Sequence, residues 1–189
     1  MSTAVLSEVD LKAVIDEMFL VLTEKEKEVV IRRFSLDSKP KQTLERIGQH
    51  FNVTRERIRQ IENIALLKLR RHISNSQLHY INSAAKEILE QHGGVMSESL
   101  LIAETLNAIG KKSSLDGCII KLSLAIDDEL AKNERSGSLD PAWRFDAISI
   151  HNIKAINDNS FRLLKKKGSV IKFSEVYKYI QKLDLFHDR

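Results

Sequence analysis

Val53-Thr54-Arg55-Glu56-Arg57-Ile58-Arg59-Gln60-Ile61-Glu62 reads as the opening of a helix with two unlike faces. The Thr54 hydroxyl suits an N-cap, where it accepts from a free amide of the first turn, and Val53 before it fixes the chain's entry. At about 100° per residue, Ile58, Ile61, Ala65 and Leu69 gather on one stripe. Glu56, Arg59, Gln60 and Asn63 gather roughly opposite, with Arg55 at the margin. One face belongs to a core. The other carries arginine, glutamate and glutamine in the first two turns, residue types that bond guanine, cytosine and adenine edges respectively. A merely solvated face holds the same types, so composition alone leaves both readings open.

Upstream, Thr43-Leu44-Glu45-Arg46-Ile47-Gly48-Gln49-His50-Phe51 forms a short amphipathic helix with Leu44, Ile47 and Phe51 on its apolar side, and Asn52 makes a tight turn. Two such helices make a helix-turn-helix, whose second helix enters the major groove while the first crosses the backbone. Two further blocks flank this motif: Leu22-Thr23-Glu24-Lys25-Glu26-Lys27-Glu28-Val29-Val30 before it, and Ala65-Leu66-Leu67-Lys68-Leu69-Arg70-Arg71 at its end. In order and spacing, residues from about 7 to 73 resemble region 4 of the sigma-70 family of bacterial RNA polymerase subunits. The resemblance implies that Arg55, Glu56 and Gln60 face bases of a promoter −35-like element in double-stranded DNA. It implies phosphate contacts from Thr54, Arg57, Arg59 and Lys68, the alternative for the cations being a solvated helix flank. It further implies that the segment before the motif cradles the β flap tip of RNA polymerase. Arg70, Arg71 and His72 have a separate reason to be where they are, since cations complement a helix C-terminus.

Residues 7 to 22 read as a helix of their own, with Val9, Leu11, Val14, Ile15, Met18, Phe19 and Leu22 at helical spacing. Thr23 and Glu26 make a capping box that opens the next helix, running to about Phe34. Ser38-Lys39-Pro40-Lys41 is a solvent loop, because proline disfavours helix before it. Charge follows the motif. Residues 20 to 75 carry 13 Lys or Arg against 7 Asp or Glu, whereas residues 1 to 19 are net −3 and residues 76 to 189 net +1. The local surplus is the electrostatic footprint of a DNA-contacting module.

Length and a hydrophobic content of 42% allow one or two folded cores. Cys118 is the only cysteine, so no internal disulfide forms, and six scattered histidines give no zinc-ligand spacing. Cys118 reads as a small core residue. Asp127-Asp128-Glu129 is the one acidic run suggestive of a metal, but successive helical residues diverge, and a solvated surface is the better reading. No nucleophile constellation, phosphate loop or metal cluster emerges, which predicts a non-enzyme without cofactor or metal. With no secretory signal and no apolar run long enough for a bilayer, the expected compartment is a bacterial cytoplasm, without a membrane partner.

Past a composition shift at Ile73-Ser74-Asn75-Ser76-Gln77, helical patterns cover residues up to about 91, 98 to 109 and 115 to 131. A turn-rich stretch, Asn133-Glu134-Arg135-Ser136-Gly137-Ser138, then lies between short strands, followed by Trp143-Arg144-Phe145, with Trp143 as a core anchor. Three helices and a polar hairpin describe a winged helix, and the layout resembles the HARE-HTH family, which includes the N-terminal domain of the polymerase delta subunit. Ile88-Leu89-Glu90-Gln91-His92-Gly93-Gly94-Val95-Met96 is echoed 75 positions later by Leu163-Leu164-Lys165-Lys166-Lys167-Gly168-Ser169-Val170-Ile171, which suggests two copies of one unit. Lys165 to Lys167 suit either phosphate or the helix C-terminus that Gly168 ends. The expected fold is mainly α: a helix-turn-helix domain over 1–75, a winged-helix-like α+β domain over 76–150, and a helical extension or truncated second repeat over 151–189. The expected function is a sequence-specific transcription regulator, short of a complete sigma factor. The alternatives are the DNA-targeting module of a longer restriction or modification enzyme, and a protein-interaction platform in residues 79–189.

Overall fold

The computed structural model describes residues 10–137 and 139–183. Helix α1, Leu11–Met18, is opened by the Asp10 carboxylate, which accepts from the amides of Lys12 and Ala13 at 3.0 and 3.3 Å. The single helix expected to Leu22 instead tightens into a 3-10 turn over Phe19–Val21. Leu22 must be extended to deliver Thr23 as the next N-cap, so the α-helix cannot run through it. Residues 7 to 9 of that expected helix lie outside the described residues. Helix α2, Glu24–Phe34, begins with the capping box read from Thr23 and Glu26 and ends on Ser35 in the left-handed region. Helices α3, Leu44–Phe51, and α4, Arg55–His72, start on Thr43 and Thr54, whose hydroxyls accept from the amides three residues on. Val29, Ile47, Ile58 and Ile61 bury one small core among α2, α3 and α4, with Leu44, Phe51 and Val53 packed against it.

A 3-10 turn over Ile73–Asn75 separates α4 from helix α5, Leu78–Gln91. Strand β1, Val95–Ser97, leads directly into helix α6, Glu98–Ala108, and helix α7, Ser114–Ile126, follows. Strands β2, Leu130–Asn133, and β3, Ala142–Phe145, make the hairpin. All pairs are antiparallel in the order β1-β3-β2, with Val95 opposite Arg144 and Leu130 opposite Phe145. Helix, strand, two helices and a two-stranded wing are the winged-helix order. Trp143 is its anchor, 3% exposed.

The third helix stops at Ile126 rather than near Ala131. Asp127 is extended, its Oδ1 accepts from the Glu129 amide, and Leu130 and Ala131 pair with β3 as strand. Asp127 is also buried, contrary to a solvated acidic run: its Oδ2 accepts from Asn82 Nδ2 at 2.9 Å and lies 3.4 Å from Lys86 Nζ. Lys86 reaches Glu129 as well, at 2.9 Å. Asn82 donates to the Ser123 carbonyl and accepts from the Ser123 hydroxyl, so a polar lock holds α7 on α5. Although the three carboxylates lie within 4.8 Å of one another, Asn82 and Lys86 already engage Asp127 and Glu129.

Helix α7 is the centre of the molecule. It packs on α5 and α6 and also on α1, α2 and α4. One buried cluster therefore runs from Leu11, Phe19 and Val30 through Ala65 and Leu69 to Leu78, Ile120, Leu124 and Trp143, across the turn at residues 73–75. Arg70 Nε donates to the Ile126 carbonyl at 3.2 Å, so a cation near the end of α4 caps the end of α7. Cys118, expected in the core, is half-buried on a cleft between the two halves that Arg33, Glu98 and Lys132 also line. Helices α8, Ile150–Lys167, and α9, Phe173–Gln181, complete the described chain and pack on each other. Among the described residues no helix is long and apolar enough to cross a membrane.

Candidate nucleic-acid interface

The turn between α3 and α4 is tight for identifiable reasons. Asn52 sits at φ 53°, a left-handed conformation that asparagine tolerates better than most residues, and the Val53 amide donates to the Gly48 carbonyl at 2.9 Å. A side chain at Gly48 has no room, since a Cβ there would stand 2.7 Å from the Val53 carbonyl oxygen. This close approach seats α3 against the start of α4. Ile58 and Ile61 then anchor one face of α4 in the core, which fixes the rotation of the other face.

That outer face carries what the sequence led us to expect. Thr54, Arg55, Glu56, Arg57, Arg59 and Gln60 are all exposed, within the first two turns of α4 and around its N-terminus. They are not idle side chains. Glu56 accepts from Arg59 at 2.9 and 2.7 Å, and Arg57 Nη1 donates to Gln60 Oε1 at 3.1 Å. The hydrogen bond from Arg59 holds the Glu56 carboxyl below its ordinary value, and Glu56 in turn raises the Arg59 guanidinium. Arg55 adds a smaller downward pull on Glu56. The Thr54 hydroxyl accepts from the Arg57 amide at 3.2 Å, which leaves its own proton to donate outward.

Lys68 stands apart from this set. Its Nζ lies 2.9 and 2.8 Å from the two carboxylate oxygens of Glu26, so it fastens α4 to α2 rather than facing solvent like the other cations expected at phosphate. Burial alone would push Glu26 up, but the hydrogen bonds from Lys68 and the Thr23 amide outweigh it and hold the carboxyl below its usual range. Arg33 makes a similar tie, 3.0 Å from Glu62. Arg46, exposed on α3, is a cation that the sequence reading passed over. Its position on the helix that crosses the backbone in this motif was the available signal.

The winged-helix unit presents a different picture. Its third helix is the one that such folds insert into the major groove. Here Gly117, Ile119, Ile120, Leu122, Ser123, Leu124 and Ile126 of α7 are buried, because α1, α2 and α4 cover the side that the winged helix leaves open. Residue types able to bond base edges are thus exposed on α4, whereas most of α7 is covered.

Comparison with known proteins falls on the same segment. Residues 19–71 match the family described as sigma-70, region 4. An RNA polymerase sigma factor RpoD from Helicobacter pylori is 53% identical over 62 residues, 32% of this chain and 9% of that protein. A sigma factor SigA from Nostoc is 52% identical over 69 residues, 36% of this chain and 17% of its own length. A SigA from a Bacillus species is 51% identical over 67 residues, 35% of this chain and 18% of that protein. The chain thus spans less than a fifth of these relatives, and the similarity is confined to the helix-turn-helix half.

Proposed function

We propose that this protein is a transcription regulator that binds double-stranded DNA through α4 at a promoter −35-like element. In this reading Arg55, Glu56 and Gln60 meet base edges, Thr54, Arg57, Arg59 and Arg46 hold the phosphates, and no catalysis is involved. The observation that carries it is the exposure of a complete base-reading set on the first two turns of α4. Its rotation is fixed by Ile58 and Ile61, inside the segment that resembles sigma region 4. A bidentate arginine or glutamine contact discriminates by about 1–3 kcal/mol per base, so two or three suffice for a short element. The likeness also supports contact with RNA polymerase in general, and within this reading we propose the β flap as the surface met by the α1–α2 segment. The burial of α7 favours residues 78–145 as a brace for α4 rather than a second reader.

The test is selection of duplexes from a randomised library by the full chain, followed by sequencing. Enrichment of one short motif related to a −35 element is expected. An output as random as the input would overturn the reading. Retention of core polymerase by the immobilised chain, lost when the β flap tip is deleted, tests the second contact.

A further inference from the structure

The 75-residue echo extends well beyond the stretch that first reveals it. Helix α5 and α8 both end on a glycine turn, with Gly93 at φ 79° and Gly168 at φ 64°. Helix α6 begins at Glu98 and α9 at Phe173, again 75 apart. At this offset Leu78, Ile81 and Asn82 of α5 correspond to Ile153, Ile156 and Asn157 of α8. Leu89 corresponds to Leu164, and Ile102 of α6 to Tyr177 of α9. Even the asparagine of the polar lock has its counterpart.

In the first copy this face is closed. Leu78, Ile81, Asn82 and Leu89 are at most 1% exposed and Ile102 is 8% exposed, because α7 lies across α5 and α6. In the second copy the face is more open: Ile153, Ile156 and Asn157 are half-buried, Leu164 is 43% exposed and Tyr177 is 54% exposed, and of α9 Ile180 is buried. Phe161 and Phe173, at 54% and 83%, extend the apolar area. A contiguous apolar face on a helix pair marks an interaction site.

Charge says what kind of helix would cover it. The near balance of residues 76 to 189 conceals a division: residues 76 to 149 are net −4, whereas residues 150 to 183 carry 8 Lys or Arg against 2 Asp or Glu. In the first copy the covering segment, residues 113 to 129, is net −3. A second copy of this chain fits poorly, since two segments of net +6 would meet and its own α7 is buried.

We propose that the exposed apolar face of α8 and α9 docks an amphipathic helix of a partner protein with the chemistry of α7: an aliphatic stripe and a net negative charge. The bound helix would close the second unit as α7 closes the first.

The probe is a dye-labelled synthetic peptide of residues 113–129 carrying Cys118→Ser, titrated with the full chain and read by fluorescence anisotropy. Saturable binding is expected, weakened at least tenfold by Leu164→Asp and by Tyr177→Asp, and weakened by added salt. Both side chains are exposed, so the thermal unfolding of the variants should match that of the unsubstituted chain. Absence of binding by the unsubstituted chain, or binding by both variants as tight as that of the unsubstituted chain, overturns the proposal. Sedimentation as a dimer that either variant returns to monomer would place a second copy on the face, and overturns it too. So does a duplex-DNA affinity that falls in both variants without any peptide binding, which assigns the face to nucleic acid.

Discussion

Glu56 and Arg59 hold each other across one turn of α4, and in the proposed function that pair must open before either meets DNA. Removing Glu56 therefore has two opposed effects. Glu56→Ala should relax preference at one base position while freeing Arg59 for phosphate, so that affinity for scrambled duplex rises and the log–log salt slope steepens by about 0.9. Titration of one preferred and one scrambled duplex at several salt concentrations checks this, and an unchanged slope would mean that Arg59 has no phosphate within reach. Lys68 belongs to a different class. Lys68→Ala should cost stability, about 1–2 kcal/mol, and leave the DNA salt slope where it was, because its ammonium is already engaged by Glu26. The same pair sets a pH dependence. Glu26 is depressed when folded, so its contribution is fully present above the ordinary glutamate value and is lost as pH falls through the lower folded value. Thermal unfolding followed down through that acidic window should drop more steeply for the unsubstituted chain than for Glu26→Gln.

Helix α3 meets α4 through Gly48, and the fit leaves no space for a methyl group. Gly48→Ala should destabilise the chain by about 1–3 kcal/mol, the usual cost of overpacking against backbone, and should weaken DNA binding by tilting the two helices apart. Calorimetry with a parallel DNA titration would show both, and a variant as stable and as active as the original would refute the seating described for these helices. Helices α2, α3 and α4 were legible in the sequence because their signals are local: threonine caps, a capping box and apolar residues at helical period. The end of α7 was not legible. Leu130 and Ala131 continue the helical apolar pattern, and only pairing with Phe145 and Arg144, more than ten residues on, makes them strand. The engagement of Lys68 was hidden for the same reason, since Glu26 is 42 residues away. Exposure of the α4 set was readable from its period, but the ion pair within it depends on which rotamers meet.

A core that crosses the turn at residues 73–75 makes the half that carries α4 dependent on the other for its stability. Charge and motif placed the chemistry before residue 76, yet gave no hint that α7 supplies the apolar floor beneath α1, α2 and α4. A fragment of residues 1–75 should accordingly lose the sharp thermal transition of the full chain, as followed by circular dichroism; an equally cooperative and equally stable fragment would show that the shared core is dispensable. Arg70 offers a finer probe of the same coupling. Arg70→Ala should cost about 1–2 kcal/mol through the lost bond to the Ile126 carbonyl, with duplex preference unchanged. The outer face of α4 is the proposed reader of sequence, and binding by the Arg55→Ala, Gln60→Ala double variant tests that role most directly. Measured against the selected duplex and a scrambled one at matched salt, the double variant should lose about 2–5 kcal/mol on the first, almost none of it through the salt slope of Gln60, and far less on the second. Equal losses on both duplexes, or none on either, would contradict the claim that this helix reads DNA sequence.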